Sequence, residues 1–248
     1  MIKILSIGNS FSQDATAYLH QIAQSAGVDL LTVNLYIGGC SLERHWHNVT
    51  NQLSEYELQI NGESTGELIS IQDALQREKW DYITLQQVSQ SSGDWATYQP
   101  YLTDLAEFLK KQAPSGEIVL HQTWAYEEGS ERLREMAGYR TQEEMFADLQ
   151  RAYLEAARSI GHCRIIPSGW VFQQLLKKGF KNLHRDTYHA SIPEGRYILG
   201  AVWYEFLGSK SIIDTSFRPE EMAESTWLFL KEQVHREMKS LALTQVLH

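Results

Sequence analysis

Cysteine is scarce. The 248-residue chain holds only Cys40 and Cys163, too few for a disulfide framework, so both are expected as free thiols. Positive charge is also short: 22 Lys and Arg stand against 31 Asp and Glu, a net charge of −9 with a pI near 5.5. The longest basic cluster, Lys177–Lys178 with Lys181, is a solvated helix end, so neither nucleic acid nor an anionic membrane is an expected partner. No apolar run approaches the ~20 residues that span a bilayer. No charged leader precedes the first apolar run at Ile2, which predicts a cytoplasmic location, a trimmed secreted form being the alternative. Repeats, low-complexity tracts and long linkers are also missing, so residues 1–248 read as one domain. With 43% hydrophobic and 21% charged residues, that domain can bury one large core.

What is present is organised around Ile2–Ser12, IKILSIGNSFS. A short run rich in β-branched residues stops at Gly8 and a helical pattern begins soon after, which predicts a buried parallel strand followed by a helix. Ser10 lies on that strand-to-helix turn, where an open α/β sheet keeps its ligand crevice, and is a candidate nucleophile. On these residues alone the plainer reading comes first, that Ser10 or Ser12 caps the helix. A helix is predicted over 13–26, then a strand over 31–37 ending in Gly38–Gly39–Cys40, completing a βαβ unit. The glycine pair either brings backbone N–H groups close to a ligand or makes an ordinary turn. Residues 56–70 resemble a hairpin about Asn61–Gly62, inserted on the flank of the sheet.

Further strands are predicted over 81–87, 117–120 and 163–166. Helices are predicted over 71–80, 99–112, 143–160 and 170–178, from about Pro193, and over 220–239. Residues 127–142 read as a charged, mobile segment. The strand ends thereby collect Ser10, Gly38–Gly39, Gln86–Gln87, His121–Trp124 and Ser168. The loop HRDTYHAS adds Asp186 and His189. A hydroxyl nucleophile needs a base, and the base needs a group that fixes its tautomer. An aspartate three residues before a histidine supplies both from one loop, although the spacing also occurs by chance.

These residues resemble the SGNH, or GDSL-type, hydrolases. Gly8-Asn9-Ser10 is similar to that family's Gly-Asp-Ser block, Gly39 or Gly38 to its second block, and Asp186-Thr-Tyr-His189 to its last block. GNSFSQDA, IGGCSLERHW, LQQ and HQTWAY resemble a largely uncharacterised bacterial branch. The resemblance implies a flavodoxin-like three-layer α/β sandwich with a five-stranded parallel sheet, order 2-1-3-4-5, plus the small hairpin insertion. It implies a serine esterase in which Ser10, His189 and Asp186 form the triad and no cofactor or metal is needed. The substrate expected is a small acyl ester such as an O-acetyl group on a saccharide.

One block departs. The family's Asn after strand three is missing, and Gln87 or Gln86 is the side-chain amide expected to join Ser10 and Gly39 in an oxyanion hole. Trp124, with Tyr126, is a candidate sugar platform against a default of core packing. His121 and Gly38 are candidate substrate contacts. The departures leave a non-catalytic carbohydrate-binding module as the alternative. Cys40, His45 and His47 suggest a metal site only weakly, and residues 41–70 or 127–142 are candidate lids.

Overall fold

The computed structural model of the protein describes residues 1–208 and 210–246, with side chains as far as 242. Strand β1 (Ile2–Gly8) lies between β2 (Leu30–Tyr36) and β5 (Tyr82–Leu85), parallel to both. Ile4, Leu5 and Ile7 are all fully buried because a central parallel strand is covered on both faces, which is why it reads as a continuous apolar run. Strands β6 (Glu117–His121) and β7 (Ile165–Ile166) continue the parallel pairing beyond β5.

The expected hairpin is present as β3 (Tyr56–Ile60) and β4 (Glu63–Ile69) on the flank of the sheet, but it does not stand apart from it. It pairs antiparallel along β2, so the sheet is mixed and seven-stranded, order β4-β3-β2-β1-β5-β6-β7, rather than five-stranded and parallel. The unpaired backbone edge of β2 supplies the physical reason. Asn61 and Gly62 both take positive φ (53° and 88°), as a type I′ turn requires. The buried Asn34 Nδ2 donates to Gln59 Oε1 at 2.8 Å, fixing the register. The outer strand β4 is exposed except at Ile69, and its pairing with β3 slips between Glu57 and Gln59.

Helices cover both faces. Ile4 looks toward α1 (Ser10–Thr16), α2 (Leu19–Ser25), α7 (Ser168–Lys177), α8 (Glu194–Gly208) and α9 (Glu224–Val246). Leu5 and Ile7 look toward α3 (Leu42–Thr50), α4 (Ile71–Arg77), α5 (Tyr101–Gln112) and α6 (Gln142–Ser159). Leu102, Leu105, Ala106 and Leu109 of α5 are buried at the spacing the sequence predicts. No described helix is long and apolar enough to cross a membrane.

Two local expectations are revised. The helix expected over 13–26 is broken at Ala17–Tyr18, where the hairpin turn presses against it: a Cβ on Gly62 would lie 2.5 Å from the Ala17 carbonyl oxygen. The charged stretch 127–142 is held down, not loose. Leu133 is fully buried in a π-helical turn over Arg132–Met136, and Gln142 Nε2 donates to the Tyr126 carbonyl at 2.8 Å.

Gly62→Ala tests this seam between hairpin and helix. A left-handed backbone costs an L-residue about 1–2 kcal/mol before the clash is counted. The thermal midpoint should fall by about 2–8 °C, and an unchanged midpoint in scanning calorimetry would show that the turn is not under this constraint.

Candidate active site

β1 ends at Gly8 and α1 starts at Ser10, with Asn9 as the N-cap between them. Asn9 Oδ1 accepts from the Phe11 N–H at 2.9 Å, and Ser12 Oγ accepts from the Asn9 N–H at 3.0 Å, closing a capping box. The cap therefore belongs to Asn9, which leaves the Ser10 hydroxyl free of that duty. Asn9 Nδ2 also donates to the Cys40 carbonyl at 3.0 Å, bringing the Gly38–Cys40 turn against the Ser10 turn. The Ser10 N–H, in the first turn of a helix, has no intrahelical acceptor. Gly39 is exposed at φ +63°, so its amide is open to a ligand.

The loop 183–191 brings the other two groups. His189 Nε2 lies 2.8 Å from Ser10 Oγ, and His189 Nδ1 lies 2.7 Å from Asp186 Oδ2. Thr187 sits at φ +75°, a rare backbone for a β-branched residue, and its carbonyl is held by the Glu127 N–H at 2.8 Å. This reversal folds the chain back so that Asp186 Oδ1 accepts the His189 N–H at 2.9 Å while Oδ2 faces the ring. Partial burial pushes the Asp186 carboxyl up. The hydrogen bonds from the His189 ring and backbone and the Tyr188 backbone outweigh it, and the net pKa lies below the ordinary carboxylate value. A carboxylate on Nδ1 fixes that nitrogen as the donor and leaves Nε2 as the acceptor for the Ser10 proton. Such a row can activate a hydroxyl for attack on a carbonyl.

A residue the sequence did not signal holds this together. Asp14 of α1 is fully buried. Its two oxygens accept from Arg185 Nη1 at 2.9 Å each, from Arg196 Nε at 2.8 Å and from the Ala190 N–H at 3.1 Å. Arg185 and Ala190 flank the Asp186–His189 turn, and Asp14 lies one helical turn beyond Ser10. The only trace in the sequence is a charge beside Ala15 on an apolar helix face.

Several candidates prove to be supports. Gln87 Nε2 donates to the Thr97 carbonyl and hydroxyl at 2.9 and 3.0 Å, and its Oε1 accepts from the Leu42 and Val88 N–H groups. Both amide hydrogens are taken, so Gln87 has none to offer an oxyanion. Gln86 is 2% exposed, and it bridges Asn9 Oδ1 and His121 Nδ1 at 2.7 Å each. The expected oxyanion roles of both glutamines are thus replaced by structural ones. Trp124 is fully buried between Phe11 and Phe172, its indole N–H donating to the Tyr188 carbonyl at 2.8 Å; it braces the histidine loop and offers no face to a sugar. Tyr126 and His121 are likewise fully buried, so neither contacts a substrate as placed.

Gly38 remains exposed beside Gly39. His45 points inward, 2.8 Å from the Tyr56 hydroxyl and 3.4 Å from Cys40 Sγ, whereas His47 is exposed on the other side of α3. Burial pushes the Cys40 thiol up to about 12. Among the described residues no cluster of three or more His, Cys, Asp and Glu has the arrangement of a metal centre.

The family model of DUF4886, a domain of unknown function, matches residues 3–236. A DUF4886 family protein from Bacteroides uniformis is 33% identical, with 96% of this chain and 94% of that one covered and a TM-score of 0.90. A protein from Slackia heliotrinireducens assigned to the SGNH hydrolases is 20% identical, covering 82% of this chain and 97% of that one, with a TM-score of 0.61. An acetyl-xylooligosaccharide esterase from Geobacillus is 16% identical, covering 88% and 97%, with a TM-score of 0.54. The last two likenesses establish a shared fold, and the resemblance to SGNH hydrolases read from the motifs stands at that level. No curated protein sequence matches this one.

Two measurements probe the framework of the site. Asp14→Asn leaves two guanidinium groups without their buried partner, which should cost about 3 kcal/mol in urea unfolding. It should also speed hydrogen exchange at the Ala190 amide; retained protection there would mean that the loop is held by other contacts.

The second concerns pH. Burial lowers His45 and His121 to about 3 and His184 to about 4 from an ordinary 6.5. Below pH 6.5 the unfolded chain binds protons the folded one refuses. The associated stability is therefore complete above that pH and declines toward the folded values, by up to about 1.4 kcal/mol per histidine per pH unit. The urea midpoint should be lower at pH 5.5 than at pH 7.5, and equal midpoints would contradict the burial of these rings.

Proposed function

We propose that this chain, which belongs to the DUF4886 family, is a serine hydrolase that cleaves a small acyl ester through an acyl-enzyme. The observation that carries the proposal is the row Ser10 Oγ, His189 Nε2, His189 Nδ1, Asp186 Oδ2, with hydrogen-bond distances of 2.8 and 2.7 Å. His189 takes the hydroxyl proton as Ser10 Oγ bonds to the ester carbon, and the carbonyl electron pair moves onto oxygen. Collapse of that tetrahedral species breaks the ester bond, and the alkoxide leaves with the proton from His189. Water then repeats the sequence on the acyl-serine and frees the acid. Asp186 stays ionised throughout, holding the tautomer and the imidazolium.

The Ser10 and Gly39 amides are the donors to the oxyanion. Each such donor is worth about 2.7–4 kcal/mol in the transition state. Gln86 serves the hole indirectly: it fixes Asn9, and Asn9 fixes the Cys40 carbonyl and with it the Gly39 turn. The reaction needs only these groups and water. An O-acetyl group on a saccharide is the substrate we favour, and the fold shared with an acetyl-xylooligosaccharide esterase supports it.

A binding module on the same fold is the competing reading, motivated by the absence of the family's Asn. Ser10→Ala should lower p-nitrophenyl acetate hydrolysis by at least about 1,000-fold, and a fluorophosphonate should label Ser10 of the native protein. Native-like turnover by Ser10→Ala would remove that residue from the mechanism, and an unlabelled, inactive native protein would favour the binding module.

A further inference from the structure

The charged stretch 127–142 is not absorbed by the chemistry above, yet it lies against the triad. Arg132 holds its guanidinium 4.3 Å above the Tyr188 ring, and the Tyr188 ring lies 3.8 Å from that of His189. On the outer side Glu131, Arg132, Glu135 and Met136 line an open cavity of about 520 Å³. That lies within the ~300–1,000 Å³ range of small-molecule sites. The segment is a built wall. Leu133 is fully buried behind it, the Ala137 N–H closes the π-helical turn onto the Arg132 carbonyl at 3.0 Å, and the Tyr139 N–H donates to the Leu133 carbonyl at 2.9 Å. π-helical turns are rare and gather at functional sites.

The polar groups of this wall are unspent. Among the described residues none of Glu131, Arg132 and Glu135 joins an ion pair. The Arg132 guanidinium makes one polar contact, Nη1 to Met136 Sδ at 3.8 Å. We propose that this cleft is the subsite for the alcohol portion of the ester, and that it selects an uncharged, hydroxyl-rich alcohol. The proposal rests on the esterase reading above and adds where the alcohol binds and what charge it carries.

The choice of ligand follows from the charges. An anionic group drawn to Arg132 would meet two carboxylates in the same wall, within a chain of net charge −9. A cationic group would meet the guanidinium. A neutral polyol suits both: its hydroxyl hydrogens are accepted by Glu131 and Glu135, and its oxygens accept from the Arg132 donors. Met136 offers an apolar contact for the C–H face of a ring. An arginine between two acids thus reads as a hydroxyl cradle, not as an anion site.

The test compares three substrates: p-nitrophenyl acetate, an O-acetylated methyl xyloside, and an O-acetylated methyl glucuronoside that adds one carboxylate. The native protein should prefer the xyloside acetate to the glucuronoside acetate by at least about tenfold in kcat/KM. Arg132→Ala, and separately the conservative Glu135→Gln, should lower the ratio of kcat/KM for the xyloside acetate to that for p-nitrophenyl acetate by about tenfold, chiefly through KM. Preference for the glucuronoside acetate, or a ratio unmoved by both variants, overturns the subsite. If Ser10→Ala abolishes turnover while the ratio stays fixed, only the subsite fails. If Ser10→Ala turns over like the native protein, the esterase reading fails first and this inference falls with it.

Discussion

One buried carboxylate holds the first helix in register with a loop and a helix far along the chain. Asp14 lies 171 residues from Arg185 and 182 from Arg196, yet all three share one charged cluster with the Ala190 amide. A buried ion is tolerated only when its lone pairs are filled and its charge is matched; Asp14 meets both conditions with partners that come from the histidine loop and from α8. Because Ser10 rides on the same short helix and His189 immediately precedes Ala190, this cluster also sets the span between Ser10 and His189, the proposed nucleophile and base. A displacement of about 1 Å in that span is of the size that costs a catalyst orders of magnitude. The site is therefore only as well formed as a salt-bridged anchor that touches none of the reacting atoms.

The residues proposed as a triad, Ser10, Asp186 and His189, were legible because each sits in a local pattern. A β-branched run stopping at Gly8 announces a strand end, and an aspartate three residues before a histidine announces a loop able to orient its own base. The anchor was not legible, since its partners are brought together only by closure of the whole fold. The polar residue types at the strand ends promise more chemistry than the structure leaves free. Gln87, Gln86 and Trp124 carry groups that suit an oxyanion or a sugar, but in the structure those groups are turned to backbone and neighbours: Thr97 and Leu42 for Gln87, Asn9 and His121 for Gln86, the Tyr188 carbonyl for Trp124; His121 is withdrawn by burial instead. Residue type at a strand end says what a side chain can donate. It does not say how much of that capacity the protein has already spent.

The fold shows the same division. Period and composition located the parallel strands and the apolar stripe of α5, and Asn61–Gly62 marked its turn. Whether the hairpin would stand apart or extend the sheet depended on the unpaired rim of β2, a long-range matter. The break at Ala17–Tyr18 depended on where that turn came to rest.

The outer strand β4 has a consequence for how the molecule behaves in company. It is nearly all exposed, carries Glu63 and Glu67, and bends at Gly66, which sits at φ +72°. At the opposite rim β7 offers only two residues for pairing. A strand from another molecule would meet repulsion and curvature on one side and too short a template on the other. Both margins are thus poor templates for the stacking of chains into fibres, and the borders of the sheet work against cross-β growth in a crowded solution.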